Sequence, residues 1–311
     1  MNILSKNITN IYAKAALNKE QLDGKIKIGC DGIELQLLSE FINGKVGNYH
    51  NVEDVVNLEE YKNYDIRVVH APILSVYGLS DITLEDFVDD DITFLEQVFK
   101  VADYFGSLHS RRTLIVIHSE TTVGLMSAIG DTWGRVVKFL GYLLYKYPYT
   151  EVGIENVPPL RNALADKIEL CNNFKFDNVD MALKLREELK TDRVGTVLDI
   201  CHAKISDMYL NHIRLLIPEA KPEDYSLNAY FSANSGVIKL VHLADFAGCG
   251  YGKGQHGTKI TEENKSTMEE VIELYNKYHY CCPITLEVEE SDFINSPNYR
   301  DTKELIDRYR L

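Results

Sequence analysis

Short apolar runs alternate with amphipathic stretches along nearly the whole chain, and most of the runs close on a residue that can bind a metal or move a proton. The runs are Gly32–Leu38, Ile66–Val69, Thr113–Ile117, Val152–Ile154, Val194–Leu198, Val237–Leu243 and Ile284–Val288, with Asn2–Leu4 as a candidate eighth. Runs this short, β-branched and continuous suit parallel strands covered on both faces. Between them Phe94, Val98, Val101 and Ala102 recur at helical spacing. So do Trp133, Val137, Leu140 and Leu144, then Met181, Leu183 and Leu189. Val271, Leu274 and Tyr275 make a further stripe, with a helix start expected at Thr261.

Strands alternating with helices from end to end imply right-handed βαβ units, arranged either as an open sheet or as a closed barrel. The polar residues decide between them. In a barrel every strand's C-terminal end faces one mouth, so side chains far apart in sequence can converge there, whereas an open sheet spreads them along a crevice. The expected fold is a single-domain (β/α)8 TIM barrel spanning residues 1–311, with no linker or internal repeat.

The formal net charge of −14 argues against a broad nucleic-acid footprint, although a local basic groove stays open. No apolar run reaches membrane-spanning length and the start lacks a signal-peptide pattern, so no membrane partner is expected and the expected location is the cytoplasm. The six cysteines fall without metal-site or disulfide-framework spacing, which fits reduced thiols. The glycine-rich piece from Gly248 to Gly254 has neither dinucleotide-loop nor phosphate-loop spacing, and there is no serine-hydrolase elbow.

The run ends carry the chemistry. His70, His118 and Glu155 close three successive runs, Asp199 and His202 the next, and His242 and Glu287 the last two. A lone histidine on such a run is usually a hydrogen-bonded core residue. Consecutive strands obeying one rule point instead to a shared site. If Glu155, Asp199 and Glu287 meet in one mouth, each close pair costs on the order of 1–4 kcal/mol, and a divalent cation removes that repulsion. Glu155, Asp199, His242 and Glu287 supply three oxygens and one nitrogen, a set suited to Mn, Zn, Mg or Co.

The ordered motifs His-Ala-Pro, Ile-His-Ser, Ile-Glu-Asn, Leu-Asp-x-Cys-His, His-Leu-x-Asp and Leu-Glu resemble the xylose isomerase-like barrel superfamily, from Gly32 to Glu287. That superfamily includes sugar isomerases and epimerases, inosose-type dehydratases and endonuclease IV. The epimerase branch implies one metal on Glu155, Asp199, His242 and Glu287, with Glu155 and Glu287 as the catalytic acid/base pair on a hydroxy-ketone. The endonuclease IV branch implies zinc on His70, His118 and Glu155, a second zinc bridged by Glu155 to Asp199, His242 and Glu287, and a third on His202 and His256. That branch carries Asp-x-His where this chain has Gly254-Gln255-His256, so the third site lacks its carboxylate.

The expectation is therefore a metal-dependent sugar or polyol isomerase or epimerase, with an abasic-site phosphodiesterase as the alternative. His70, His118, His202 and His256 are expected as further metal or substrate contacts. Nucleic acid is the less favoured partner, and room is left for a homo-oligomer.

Overall fold

The computed structural model describes residues 8, 10–37, 51–72, 89–118, 129–157, 160–161, 169–170, 177–208, 210–214, 218–246 and 256–310. Eight parallel strands close into a barrel: β1 (Ile11–Ala16), β2 (Gly32–Gln36), β3 (Ile66–His70), β4 (Thr113–His118), β5 (Thr150–Glu155), β6 (Val194–Asp199), β7 (Ile238–Leu243) and β8 (Ile284–Leu286). They follow one another around the wall in sequence order, and β1 closes the ring by pairing with both β2 and β8. The barrel fold anticipated from the alternation is thus the one observed.

The strand missing from the sequence reading is β1. Asn2–Leu4 lies outside the described residues, and the eighth strand is Ile11–Ala16. Its sequence, Ile-Tyr-Ala-Lys-Ala-Ala, carries a lysine and three alanines in place of a branched apolar run. Barrel closure overrides that weak strand propensity, because pairing on both edges satisfies its backbone groups.

Period-two geometry then sorts the side chains. Tyr12, Val68, Leu114, Val116, Val197 and Leu240 pack together as one buried cluster inside the barrel. Two residues further along the same strands, on the same face and one layer nearer the mouth, stand Lys14, His70, His118, Asp199 and His242. Glu34 and Glu155 occupy the same layer above Gly32 and Gly153, where a Cβ would meet neighbouring side chains at 2.7 and 2.6 Å. The intervening residues, such as Leu35, Val69, Ile115, Ile154 and Leu198, face outward into the apolar layer under the helices.

That outer layer is built by α1 (Lys19–Ile28), α2 (Asp89–Leu108), α3 (Ile129–Lys146), α4 (Asp177–Leu189), α5 (Ile200–Met208), α6 (Leu227–Asn234), α7 (Ser266–Lys277) and α8 (Pro297–Arg310). Two details of the helical reading are corrected. Leu183 is 48% exposed while Leu185 is buried, since a step of two residues from buried Met181 turns about 200° around a helix. The helix expected at Thr261 begins at Ser266; Thr261 instead anchors a turn through the Asn264 carboxamide, which accepts its backbone N–H at 2.6 Å.

Candidate metal centre

Strand register brings the polar layer together. His118 pairs with Glu155 across β4 and β5, and Asp199 pairs with His242 across β6 and β7. Glu287 follows β8, where its backbone N–H donates to Leu243 O at 3.1 Å. One ligand atom each from Glu155, Asp199, His242 and Glu287 lie within 4.8 Å of one another. His242 stands at the middle, its Nδ1 3.0 Å from Glu287 Oε2, 3.4 Å from Glu155 Oε1 and 3.9 Å from Asp199 Oδ2.

Each side chain is aimed by its surroundings. Asp199 ends β6 and starts α5: its Oδ1 accepts the His202 backbone N–H at 2.6 Å as a helix cap, which leaves Oδ2 toward His242. Asn156 clamps the same junction. Its carboxamide accepts the Asp199 N–H at 2.7 Å and donates to Asp199 O at 3.0 Å, so the asparagine of Ile-Glu-Asn holds strands β5 and β6 in register at the mouth. His242 Nε2 meets the fully buried Glu34 at 3.0 Å, which fixes a proton on Nε2 and turns Nδ1 toward the other carboxylates. The alternating pattern of β2 by itself suits Glu34 on either face, and the structure turns it inward onto His242.

Lys14 was not foreseen at all. Its ammonium hydrogen-bonds Glu287 Oε1 and lies 3.5 Å from Glu34 Oε1. It therefore joins the Glu34–His242 pair to the rim carboxylate.

The electrostatics follow from this packing. Burial works against ionised Glu155, but the His242 and His118 rings outweigh it and hold the carboxyl well below the usual range. For Glu287, Lys14 and His242 likewise overcome burial and lower it. Asp199 goes the other way: burial, with Glu287 and Glu155 repelling its charge, pushes it up to about 8 against the opposing pull of His256 and His242. His242 is raised well above the usual imidazole value, since Glu34, Glu155 and Glu287 overcome its desolvation. Burial pushes His118 down to about 4.

The donor set fits a divalent cation. Glu155 Oε2, His242 Nδ1 and Glu287 Oε2 are buried without a hydrogen-bond partner, and three carboxylates with an imidazole are ligands for such an ion. A second convergent group consists of His70, His118 and Glu155: the two Nε2 atoms lie 3.3 and 3.6 Å from Glu155 Oε2. His70 Nδ1 points away, toward Ala71 O at 2.7 Å.

The other two histidines separate. His256 sits on a short ribbon in which 256–258 pairs with 245–246, and its Nε2 lies 4.0 Å from Asp199 Oδ2. Gly257 has φ +83°, so the turn back toward the mouth needs its missing side chain. His202 joins none of the convergent ligand groups among the described residues. Its Nδ1 donates to Asn156 O at 2.8 Å, while its ring stands 5.0 Å from that of His256. Gly254 lies outside the described residues. No helix among them is long and apolar enough to cross a membrane.

The family model described as Xylose isomerase-like TIM barrel, AP_endonuc_2, matches residues 26–310. No curated protein matches the sequence significantly. Among solved structures, 3-keto-D-glucoside 4-epimerase from E. coli is 12% identical with a TM-score of 0.57, covering 96% of this chain and 99% of that one. The zinc-bound IOLI protein is 13% identical with a TM-score of 0.56, covering 97% and 98%. AP endonuclease, family 2, from Brucella melitensis is 12% identical with a TM-score of 0.55, covering 93% and 96%. At these identities the likeness is one of fold.

Proposed function

The chain belongs to the xylose isomerase-like TIM barrel family, and from that premise we propose a divalent-metal-dependent isomerase or epimerase acting on a sugar or polyol. The observation that carries the reading is the convergence of Glu155, Asp199, His242 and Glu287, with inward ligand atoms left without hydrogen-bond partners. These four would hold the cation. A divalent ion there supplies Lewis-acid polarisation of a hydroxy-ketone, which acidifies the adjacent C–H bond.

The protein's own residues move the proton. Glu155 and Glu287 end strands separated by β6 and β7 along the wall, so a substrate across the mouth meets them from different sides. Both carboxyls are held low and are ionised near neutrality, as a base requires. One takes a proton from one face of the carbon, and the other, after picking up a proton from solvent, delivers it to the opposite face, which inverts the stereocentre. Lys14 keeps Glu287 oriented through its hydrogen bond. The kinship with fold relatives named as epimerases supports the sugar class.

Glu155→Gln and Glu287→Gln test this. General acid–base groups contribute about 10²–10⁴-fold, so each variant should lower solvent-deuterium incorporation into ketoses by that factor with metal still bound. Undiminished exchange in both variants rejects the assignment.

A second reading has its own observation. His70 and His118 flank the outer oxygen of Glu155 and offer a second metal position sharing that residue. That arrangement supports an endonuclease IV-like zinc-dependent phosphodiesterase acting on abasic DNA. Elemental analysis discriminates: one metal per chain favours proton transfer, whereas two or three together with incision of an abasic duplex favour the nuclease.

A further inference from the structure

A cavity of about 370 Å³ opens beside the candidate metal centre, lined by Lys14, His256 and Glu287 on the barrel side and by Lys25, Glu289, Glu290 and Phe293 on the other. Its volume is that of a small-molecule site. It is continuous with the centre, because His256 and Glu287 belong to both.

The unexplained residue in its wall is Lys25. This lysine of α1 is 2% exposed, and among the described residues its ammonium makes no hydrogen bond or ion pair, only a 5.2 Å approach to the Tyr299 ring. The carboxylate whose charge acts on it, Glu290, makes no ion pair with it and is already hydrogen-bonded: its oxygens accept the backbone N–H groups of Tyr299 at 2.7 Å and Asn298 at 3.1 Å. Lys14, the cavity's other ammonium, is occupied by Glu287 and Glu34. A buried cation without a counter-ion is costly, and burial pushes the Lys25 ammonium below the usual lysine range.

We propose that this cavity receives an anionic end of the substrate, a phosphate or a carboxylate, with the Lys25 ammonium as its counter-ion. The inference rests on the sugar or polyol reading and names the substrate class of that same site. The reacting carbons then lie toward Glu155 and Glu287, with the charged terminus in the side cavity. The other charged side chains of the wall already have partners, so a buried ammonium there discriminates between termini, because an uncharged one leaves it unpaired.

Equilibrium binding to the metal-loaded protein tests this with ligands that have no carbonyl to react. Arabinitol, arabinitol 5-phosphate and arabinonate are titrated calorimetrically into the wild type, Lys25→Met and Lys25→Arg. A charged hydrogen bond in a buried site predicts that one anionic ligand binds on the order of 10- to 100-fold more tightly than arabinitol. Lys25→Met should erase that preference and Lys25→Arg retain most of it, with unfolding midpoints establishing that both variants fold. A preference for the 5-phosphate assigns a phosphorylated substrate, and one for arabinonate assigns a sugar acid. Equal affinity for charged and uncharged ligands, no affinity for any, or a preference that survives in Lys25→Met overturns the proposal. Deuterium exchange into ketoses is measured separately. Its absence alongside Lys25-dependent anion binding rejects the isomerase reading and leaves the anion site standing.

Discussion

Replacing Glu34 tests whether the buried chain behind His242 prepares that imidazole for a cation. Glu34 is fully buried, and its Oε2 accepts the His242 Nε2 proton at 3.0 Å. Its other oxygen lies 3.5 Å from the Lys14 ammonium. In Glu34→Ala the Nε2 proton loses its acceptor, the ring is free to turn, and the basicity conferred on Nδ1 disappears. A hydrogen bond to a charged partner contributes about 1.5–3 kcal/mol, and at about 1.4 kcal/mol per tenfold that is about a 10- to 150-fold loss in metal affinity. Groups that orient a metal-bound imidazole typically cost about 10- to 100-fold when removed. Glu34→Gln keeps an oxygen acceptor without the charge, so its loss should fall near the lower end. The effect should also depend on pH. Glu34 is one of the charges that raise His242 above its usual value, so removing it makes the imidazole easier to deprotonate. That partly offsets the loss at pH 6 and offsets it little at pH 8. Competition of Zn²⁺ or Mn²⁺ against a chromophoric chelator measures this, with urea unfolding of the chelator-treated variants as the control for folding. Folded variants that both bind metal within about twofold of wild type at pH 8 would refute the role assigned to the chain.

Three more outcomes are expected. Metal uptake near pH 6.5 should release about two protons, one from Asp199, which is pushed up to about 8, and one from the raised His242. Calorimetry in buffers of different ionisation enthalpy reads that number, and zero release contradicts the shifts. Both groups bind protons more tightly folded than unfolded, so they add stability at low pH that fades as pH rises toward and through 8. The depressed carboxyls act oppositely and only in acid: Glu34, lowered to about 2 because His242 and Lys14 outweigh its burial, loses its contribution as pH falls from its unfolded value through 2. Chelator-treated protein should therefore have its highest melting temperature in mild acid, and saturating metal should move that maximum upward; an apo maximum above pH 8 runs against the assignment. Finally, His202→Ala should leave the metal count unchanged, because His202 joins none of the convergent ligand groups among the described residues, whereas His70→Ala should lower the count only if the second position binds metal. Elemental analysis decides both.

The legible part of this protein was the part that period two writes into the sequence. An apolar run whose last inward position is polar is visible without coordinates, so His70, His118, Glu155, Asp199 and His242 could be found as strand ends. Lys14 obeys the same rule two residues beyond Tyr12, yet its strand is mostly alanine and lysine and carries no apolar signal of its own. Only ring closure, a contact between the two ends of the chain, makes it a strand. Glu34 had an ambiguous face until the register of β2 was known, and Asn156 was visible only as the neighbour of Glu155. Its clamp on Asp199 spans 43 residues of sequence, a distance at which no local pattern reports contact. The division of His202 from Asp199 rests on a local contact, the helix cap, which fixes which Asp199 oxygen remains for the site.

What the added residues change is the charge balance of the centre. Glu34, Glu155, Asp199 and Glu287 bring four negative charges when ionised, and Lys14 returns one, leaving three. The raised Asp199 and His242 accommodate this at neutral pH by each holding a proton, which brings the centre to a single negative charge. A divalent cation in place of those two protons leaves the same single negative charge. Loading then becomes an exchange at constant net charge, and the buried surroundings need not absorb a new one. A monovalent ion would leave one charge uncompensated for each pair of protons released, at a cost on the order of several kcal/mol in a poorly solvated site. The balance supplied by Lys14 and Glu34 therefore selects for a divalent ion before ligand geometry begins to choose among metals.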